Sequence, residues 1–312
     1  MPKYLVTGGA GFIGSHIVEE LLKRGYEVCV LDNFLTGKRE NISPFLNKIE
    51  LIKGDIRDLS LCHSAVKGVD FILHQAALPS VPRSIEDPLL TNDINVKGTL
   101  NILVAARDAN VKRFVFASSS SVYGDDPNLP KKEGVEGMPL SPYAVSKRVC
   151  EHYCRVFSFI YGLETVCLRY FNIFGPRQDP LSQYAAVIPN FITRMLKREK
   201  PIIYGDGEQT RDFTYVANVV EANILASTVS GASGRIFNIA CGEKISVLSL
   251  VSQINDILKT SISPSFEAPR PGDVRHSFAD ITEAKMHLKY SPLTSFNEGL
   301  IKTINWYQQR RE

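Results

Sequence analysis

The chain has 312 residues, of which 44% are hydrophobic and 22% are charged, and its formal net charge is +3. This composition indicates a globular protein with a sizeable core, and the length suggests about two domains. The small charge, without runs of lysine or arginine, argues against a nucleic-acid partner. No stretch approaches the ~18 apolar residues of a membrane span, so we expect no membrane partner.

The cysteines and the first residues indicate the cellular compartment. The six cysteines show no paired spacing, which predicts free thiols in a reducing cytoplasm. The first strand begins near residue 3, so we expect no signal peptide. Cys150, His152 and Cys154 share one predicted helix but not one face of it, and we therefore expect no metal site.

In chain order, apolar runs alternate with helical patterns over the first half of the chain. The predicted strands lie at residues 4–7, 28–31, 50–52, 71–74, 114–118 and 165–169, and two of the predicted helices lie at 95–109 and 143–161. Continuous apolar strands that alternate with helices predict an α/β fold with a doubly wound (Rossmann) parallel sheet.

The alternation of strands and helices becomes irregular after residue 172, where short loops rich in Gly, Pro and Asp interrupt it. We therefore predict two domains. Residues 1–171 form the nucleotide-binding domain, and residues 172–312 form a second, smaller C-terminal domain that binds substrate. Part of 212–241 is expected to return to the first sheet.

A glycine loop connects the first predicted strand to the first predicted helix. Gly8 and Gly11 permit the tight turn and the close approach of a pyrophosphate, and Gly14 permits close packing of helix and strand. The helix N-terminus offers free N–H groups to the phosphates. Asp32 ends the second predicted strand, where a carboxylate accepts hydrogen bonds from the adenosine ribose and repels a 2′-phosphate. The pattern favours NAD over NADP as the cofactor.

Further cofactor candidates follow the next strands. Asp55 follows the third strand, where the adenine is expected, whereas Asp58 is interpreted as a helix N-cap. Lys38 and Arg39 are interpreted as exposed loop residues rather than as ligands of a 2′-phosphate. The other cofactor candidates in these segments are Phe12, Ile13, Asn33, Ile56, Gln75, Ala76 and Ala77.

Tyr143 and Lys147 are the predicted catalytic pair, and both also belong to the predicted cofactor set. Residues four apart on a helix share one face. A cationic lysine and the positive nicotinamide ring would lower the pKa of the tyrosine from its usual value of about 10. The tyrosine would then be a usable base, and Ser119 could pass the substrate proton along. An isolated pair of this spacing would favour a buried tyrosine and a surface lysine, but the glycine loop favours catalysis.

The ordered motifs of the chain resemble those of the extended short-chain dehydrogenases/reductases that epimerise and modify nucleotide sugars. The resemblance implies NAD as cofactor and a UDP- or dTDP-sugar in the second domain. It implies Tyr143 as the base, with Tyr170 and Asn95 beside the cofactor. The motifs are Gly8-x-x-Gly11-x-x-Gly14, Tyr143-x-x-x-Lys147 and the segments 118–124, 169–172, 205–207, 211–213 and 270–273.

Two positions separate the reactions of this family. The related 4,6-dehydratases carry an aspartate and a glutamate at the places of Ser120 and Ser121, so the resemblance disfavours elimination of water. Related UDP-glucuronate decarboxylases fit the second-domain motifs less well. The chain also resembles UDP-N-acetylglucosamine 4-epimerases, and the resemblance implies that Ser277 leaves room for an N-acetyl group where epimerases of non-acetylated sugars place a tyrosine.

The resemblance therefore implies C4 epimerisation of UDP-N-acetylhexosamine (UDP-GlcNAc to UDP-GalNAc) through a transient 4-keto sugar, in polysaccharide biosynthesis. UDP-glucose and UDP-galactose are expected as further substrates. Two alternatives stay open: a UDP-glucose or UDP-glucuronate 4-epimerase, and a non-catalytic NAD-binding regulator. A homodimer through the helices at 95–109 and 143–161 is also implied. The expected substrate contacts are Ser80, Ser120, Ser121, Asn172, Val187, Tyr204, Arg211, Arg270, Asp273 and Ser277.

Overall fold

The computed structural model of the chain describes residues 1–180, 186–269 and 275–310. The strands within these ranges are β1 (Lys3–Thr7), β2 (Glu27–Asp32), β3 (Glu50–Lys53), β4 (Phe71–His74), β5 (Arg113–Ser119), β6 (Glu164–Tyr170), β7 (Ile173–Phe174), β8 (Ile202–Tyr204), β9 (Thr210–Arg211), β10 (Thr214–Tyr215), β11 (Arg235–Ile239), β12 (Ile245–Ser246), β13 (Ser265–Glu267) and β14 (His276–Ser277). The helices are α1 (Phe12–Lys23), α2 (Arg39–Ile42), α3 (Leu59–Ala65), α4 (Val81–Glu86), α5 (Pro88–Asn92), α6 (Gly98–Asp108), α7 (Pro142–Tyr161), α8 (Val187–Leu196), α9 (Val216–Thr228), α10 (Val247–Leu258), α11 (Thr282–Leu288) and α12 (Phe296–Gln309).

The larger sheet is parallel, with the strand order β3-β2-β1-β4-β5-β6-β11. The order reverses between β1 and β4, and such a reversal opens a crevice at the carboxyl ends of the strands. Tyr4, Leu5 and Val6 of β1 are fully buried, as expected for a strand that is covered on both faces. The predicted doubly wound α/β fold is confirmed, and the first six strands end within one residue of their predicted bounds.

Helices cover both faces of this sheet. On one face α1 and α9 pack into a core that contains Ile17 and Val219. On the other face α3, α6 and α7 pack into a core that contains Ile102 and Cys154. Within the described ranges, no helix combines the length and the apolar character needed to cross a membrane.

A smaller group of elements lies after β6. Here β7 pairs with β10, β8 with β13, and β9 lies between β12 and β14. Helices α8, α10 and α12 pack around a third core with Phe191, Leu250 and Leu300. The segment 235–239 joins the larger sheet beside β6, whereas 214–215 pairs with β7 instead. The domain boundary at residue 171 stays a prediction.

Local sequence explains where the two helices beside the crevice begin. α7 starts at Pro142 after Ser141, whose side chain accepts a hydrogen bond from the Ala144 N–H. Serine at this place satisfies a free N–H, and proline at the first turn loses none. The predicted helix at 95–109 divides into a π-helical turn at Asp93–Lys97 and α6. Such turns are often found at functional sites.

Candidate active site

A cavity of about 860 Å³ lies at the carboxyl ends of the parallel strands, and we call it the cleft. Every predicted cofactor residue lines it except Asn95. The predicted residues that line it are Gly8, Gly11, Phe12, Ile13, Gly14, Asp32, Asn33, Asp55, Ile56, Gln75, Ala76, Ala77, Ser80, Ser119, Ser120, Tyr143, Lys147, Tyr170 and Asn172.

The glycine loop fits a dinucleotide pyrophosphate because its backbone lies too close to other backbone to admit side chains. A Cβ at Gly8 would lie 2.8 Å from the Ala76 nitrogen, and the φ of Gly8 is +67°. A Cβ at Gly14 would lie 2.1 Å from the Gly8 carbonyl oxygen. The loop then runs directly into the N-terminus of α1, where free N–H groups can meet phosphates.

Asp32 has a structural role beside the predicted contact with ribose. Its Oδ2 accepts a hydrogen bond from the Ala10 N–H at 2.9 Å, and its Oδ1 accepts one from the Phe34 N–H at 2.8 Å. Burial raises the pKa of Asp32, while these two bonds act to lower it. The carboxylate therefore holds the glycine loop to the end of β2, and each oxygen keeps a lone pair for a ribose hydroxyl.

A second carboxylate lies at the far end of the cleft. Hydrogen bonds from Arg57 lower the pKa of Asp55 to about 2. Asn33 also donates from Nδ2 to Oδ2 of Asp55 at 2.8 Å. Asp58 is the N-cap of α3, as predicted, and accepts from the Leu61 N–H. Asp55 and Asn33 are therefore held together at the place expected for the adenosine.

Tyr143, Lys147 and Ser119 meet at the end of β5. Lys147 is 4% exposed, and its Nζ donates to the Ala117 carbonyl at 2.7 Å. The same Nζ lies 5.9 Å from the centre of the Tyr143 ring. The Ser119 hydroxyl lies close enough to the Tyr143 hydroxyl to lower the pKa of the tyrosine. The three side chains needed for proton transfer thus share one wall of the cleft.

The predicted lowering of the tyrosine pKa is wrong for the protein alone. Burial raises the pKa of Tyr143, and the neighbouring Ser119 hydroxyl only partly opposes it. The charge of Lys147, whose Nζ lies 5.9 Å from the ring centre, does not outweigh burial. Burial also lowers the pKa of Lys147 to about 8. A bound oxidised nicotinamide would add a second positive charge to that of Lys147 and would favour the phenolate further.

The serines after β5 form a small hydroxyl cluster. Ser119 Oγ accepts hydrogen bonds from the Ser121 N–H at 3.2 Å and from the Ser121 hydroxyl at 3.0 Å. Ser120 lines the cleft, whereas Ser121 reaches it only through Ser119. The cluster contains hydroxyl groups where a dehydratase would need carboxylates.

Asn95 lies behind the wall of the cleft and connects two of its segments by hydrogen bonds. Its Oδ1 accepts a hydrogen bond from the Leu78 N–H at 2.7 Å, and its Nδ2 donates to Ser146 Oγ at 3.1 Å. It therefore ties the segment after β4 to α7. The resemblance placed Asn95 beside the cofactor; Asn95 is not among the residues that line the cleft, and that role stays a prediction. Tyr170 does line the cleft, with its hydroxyl bonded to Gln75 and Asn223.

The predicted substrate residues of the second half are only partly brought to the cleft. Asn172 lines it and donates from Nδ2 to the Asp212 carbonyl. Arg211 and Ser277 are paired neighbours on β9 and β14. Arg270 and Asp273 lie outside the described residues. The predicted contacts that do not line the cavity are Ser121, Val187, Tyr204, Arg211 and Ser277.

An ion pair at the cleft was missed by the sequence argument. Lys38 Nζ lies 3.1 Å from Asp179 Oδ2, and both residues line the cleft. Arg177 and Pro176 fix the segment that carries Asp179, through an ion pair with Glu19 and a hydrogen bond with His16. Lys38 is an exposed loop residue, as interpreted, but its ion pair was not foreseen. Its partner lies far away in the chain, so no local pattern could have revealed the pair.

Comparison with known proteins decides the family. The model of the NAD dependent epimerase/dehydratase family matches residues 4–240. The chain belongs to this family. A UDP-glucose 4-epimerase from Mycolicibacterium smegmatis is 37% identical to it, over 99% of both chains.

Two solved structures are similar over the whole length. A UDP-N-acetylglucosamine 4-epimerase from Methanobrevibacter ruminantium M1, in complex with UDP-N-acetylmuramic acid, is 42% identical and has a TM-score of 0.95, with 99% of each chain covered. A UDP-glucuronic acid 4-epimerase from Bacillus cereus, in complex with UDP-glucuronic acid and NAD, is 34% identical with a TM-score of 0.91, again over 99% of each chain. The predicted enzyme class, an NAD-dependent UDP-sugar 4-epimerase, and the predicted cofactor NAD are confirmed.

Proposed function

We propose that the enzyme interconverts UDP-N-acetylglucosamine and UDP-N-acetylgalactosamine, and that it also epimerises UDP-glucose and UDP-galactose. The observation that carries the chemistry is the meeting of Tyr143, Lys147 and Ser119 in the cleft that the glycine loop borders. Support for the N-acetyl sugar comes from the small side chain of Ser277 beside Arg211. The whole-length similarity to a UDP-N-acetylglucosamine 4-epimerase is further support.

In the proposed mechanism, Tyr143 accepts the proton of the sugar 4-hydroxyl, and Ser119 hydrogen-bonds the same oxygen. When bound, NAD takes the hydride from C4 and later returns it. Lys147 fixes the register between α7 and β5 through its bond to Ala117. After the 4-keto sugar has turned over in the cleft, Tyr143 returns the proton and the configuration at C4 is inverted. Gly8, Gly11 and Gly14 hold the pyrophosphate, and Asp32 and Asp55 hold the adenosine.

The base is tested by Tyr143→Phe. Loss of a positioned proton-transfer group should lower kcat by about 10²–10⁴-fold, while bound NAD and UDP-sugar affinity remain. Tyr153→Phe is the matched control, since Tyr153 lies on the same helix and packs in the core away from the cleft. Comparable turnover in both variants would show that the base is misassigned.

The sugar preference is tested with UDP-GlcNAc, UDP-glucose and UDP-glucuronate offered side by side, with the products separated by chromatography. Preference for either of the other two sugars would favour the corresponding alternative, and turnover of none would favour a regulator. In Ser277→Tyr, the ring should exclude the N-acetyl group and lower kcat/KM for acetylated sugars only. Ser277→Ala is the control. An unchanged ratio of kcat/KM for acetylated over plain sugars would show that Ser277 does not determine the sugar preference.

The exposed face of α7 supports a homodimer. Val145 and Val156 are 47% and 43% exposed, and Val149 lies between them on the same face. Val145 and Val149 also line a groove with residues of α5 and of the segment before α7. A contiguous apolar surface of this kind is typical of a protein interface. Light scattering should therefore give a dimer, and Val145→Asp with Val156→Asp should give a monomer.

The cysteines support a cytoplasmic location. All six are free thiols, and five are buried. Burial raises the pKa of Cys29 and of Cys62 to about 12, so both stay protonated at neutral pH. Free thiols in a chain without disulfides are usual in a reducing compartment.

A further inference from the structure

A buried ion pair lies directly behind the proposed catalytic wall. Arg169 and Glu151 are 2% and 3% exposed. Nε of Arg169 donates to Glu151 Oε1 at 2.8 Å, and its Nη2 donates to Oε2 at 2.7 Å. This bidentate geometry fixes the orientation of both side chains.

The same carboxylate reaches the end of β5. Ser118 Oγ donates to Glu151 Oε1 at 2.5 Å. Ser118 lies between Ala117, whose carbonyl accepts a hydrogen bond from Lys147, and Ser119, which lies beside Tyr143. Glu151 also follows Lys147 by one helical turn and Tyr143 by two, so all three lie on one face of α7. One side chain therefore joins the strand end and the helix face on which the reaction depends.

We infer that Glu151 is a positioning residue for the epimerase reaction, and that its carboxylate holds Ser118 and Arg169 so that Tyr143, Lys147 and Ser119 keep their mutual geometry. The inference rests on the proposed roles of those three residues. Stability alone is a poor explanation for the pair, because buried ion pairs can often be replaced by apolar side chains without loss of stability.

Glu151 also supplies negative charge beside Lys147. Burial lowers the pKa of Lys147 to about 8, and the charge of Glu151 opposes this effect. Burial keeps the pKa of His74 far below neutrality. The titratable groups near Lys147 are Tyr143, Cys150, Glu151 and Cys154 of α7 and His74 of β4. Without Glu151, Lys147 would have no carboxylate among these neighbours and would lose its proton at lower pH.

The test compares Glu151→Gln with Glu136→Gln in the NAD-loaded enzyme. Glu136 also accepts a hydrogen bond from Arg169, at 2.5 Å, but it lies on a loop and has no bond to Ser118. Glu151→Gln should lower kcat about tenfold with little change in KM, and should move the alkaline limb of the pH profile down by about one unit. Glu136→Gln should lower the melting temperature but leave kcat and the limb unchanged.

A readout besides activity is the ionisation of Tyr143. The ultraviolet absorbance of phenolate is titrated with and without Tyr143→Phe, and the difference isolates this tyrosine. In Glu151→Gln its titration should move to higher pH, because less cationic Lys147 remains beside it. A folded Glu151→Gln protein with both the pH limb and the titration of Tyr143 unmoved would overturn the inference.

If Glu151→Gln does not fold, Ser118→Ala tests the positioning role of Glu151 instead. It removes the bond to β5 and leaves the pair of Glu151 with Arg169 intact, so kcat should fall several-fold at constant KM; wild-type kcat would overturn the inference. Wild-type turnover and Tyr143→Phe are measured first. If the wild type shows no turnover, or if Tyr143→Phe keeps it, the proposed function is refuted. The titration of Tyr143 would still test whether Glu151 affects the ionisation of that tyrosine.

Discussion

Gly14→Ala is expected to weaken NAD binding, so that the purified enzyme carries less NAD. The new Cβ would lie 2.1 Å from the Gly8 carbonyl oxygen, whereas ordinary contact begins at 3.4 Å, so the two backbone segments must separate by about 1.3 Å. Gly8 cannot retreat freely. Its N–H donates to the Leu31 carbonyl at 2.8 Å, and its carbonyl accepts from the Gly11 N–H at 3.0 Å. The substitution must therefore distort the turn that faces the pyrophosphate.

Overpacking of this kind costs about 1–3 kcal/mol. If the cost falls on the NAD-bound state, affinity for NAD should fall by roughly 5- to 150-fold, at 1.4 kcal/mol for each tenfold change. The assay measures NAD per protomer after acid release from the purified protein, and then the dissociation constant by equilibrium dialysis. The far-ultraviolet circular dichroism spectrum should stay that of the wild type, since the distortion is confined to one turn.

Gly54→Ala is the matched control for this substitution. Gly54 also lines the cleft, and a Cβ there would lie 2.0 Å from Cδ2 of Leu61. The overlap is as severe, but its neighbour is the end of a flexible side chain that can rotate away. We expect nearly full NAD content. Equal loss of NAD in both variants, or full NAD in Gly14→Ala, would refute the reasoning from rigid backbone.

Three further outcomes are expected. NAD rather than NADP should be released from the denatured protein, because Asp32 lines the cleft where a 2′-phosphate would lie; NADP as the main species would contradict this. Lys38→Ala should speed NAD release by up to about fivefold, which corresponds to the free energy of an exposed ion pair. High salt should speed release from the wild type in the same way. An unchanged release rate would show that the Lys38–Asp179 pair does not help to retain the cofactor. Burial lowers the pKa of His74 to about 3, so only the unfolded imidazole takes up a proton as the pH falls below about 6.5. The free energy of unfolding should then fall by about 1.4 kcal/mol per pH unit, and urea unfolding of His74→Gln should show a flatter slope between about pH 6.5 and 5.

Local patterns in the sequence predicted the parts of the site that depend on neighbouring residues. The glycine loop lies at a strand–helix junction, and a chain of such junctions is enough to predict a doubly wound sheet. Tyr143 and Lys147 share a helix face because they are four residues apart. Asp58 caps α3 because its side chain reaches an N–H three residues later. In each case the physical cause acts within one turn or one strand.

Features that depend on contacts between distant segments could not be predicted in this way. Spacing placed Asn95 on a helix, but it could not show that its amide bonds Leu78 and Ser146, which lie on other segments. The pKa of Tyr143 was predicted to fall beside Lys147 and the nicotinamide, yet in the protein alone burial raises it. Both features depend on how segments that are distant in the chain pack together.

The same reasoning explains why the proposed catalytic residues would need a support that their motif does not contain. The Tyr143–Lys147 spacing fixes two side chains on α7, but the proposed reaction also uses Ser119 at the end of β5. Helix and strand are separate elements, and a hydrogen bond from Lys147 to the Ala117 carbonyl is a single contact that permits rotation. Glu151 adds a second polar contact through Ser118, and its bidentate bond with Arg169 adds a contact to β6 beside the hydrogen bond from Thr165 to the Cys154 carbonyl. Contacts among three elements define an orientation that one contact cannot.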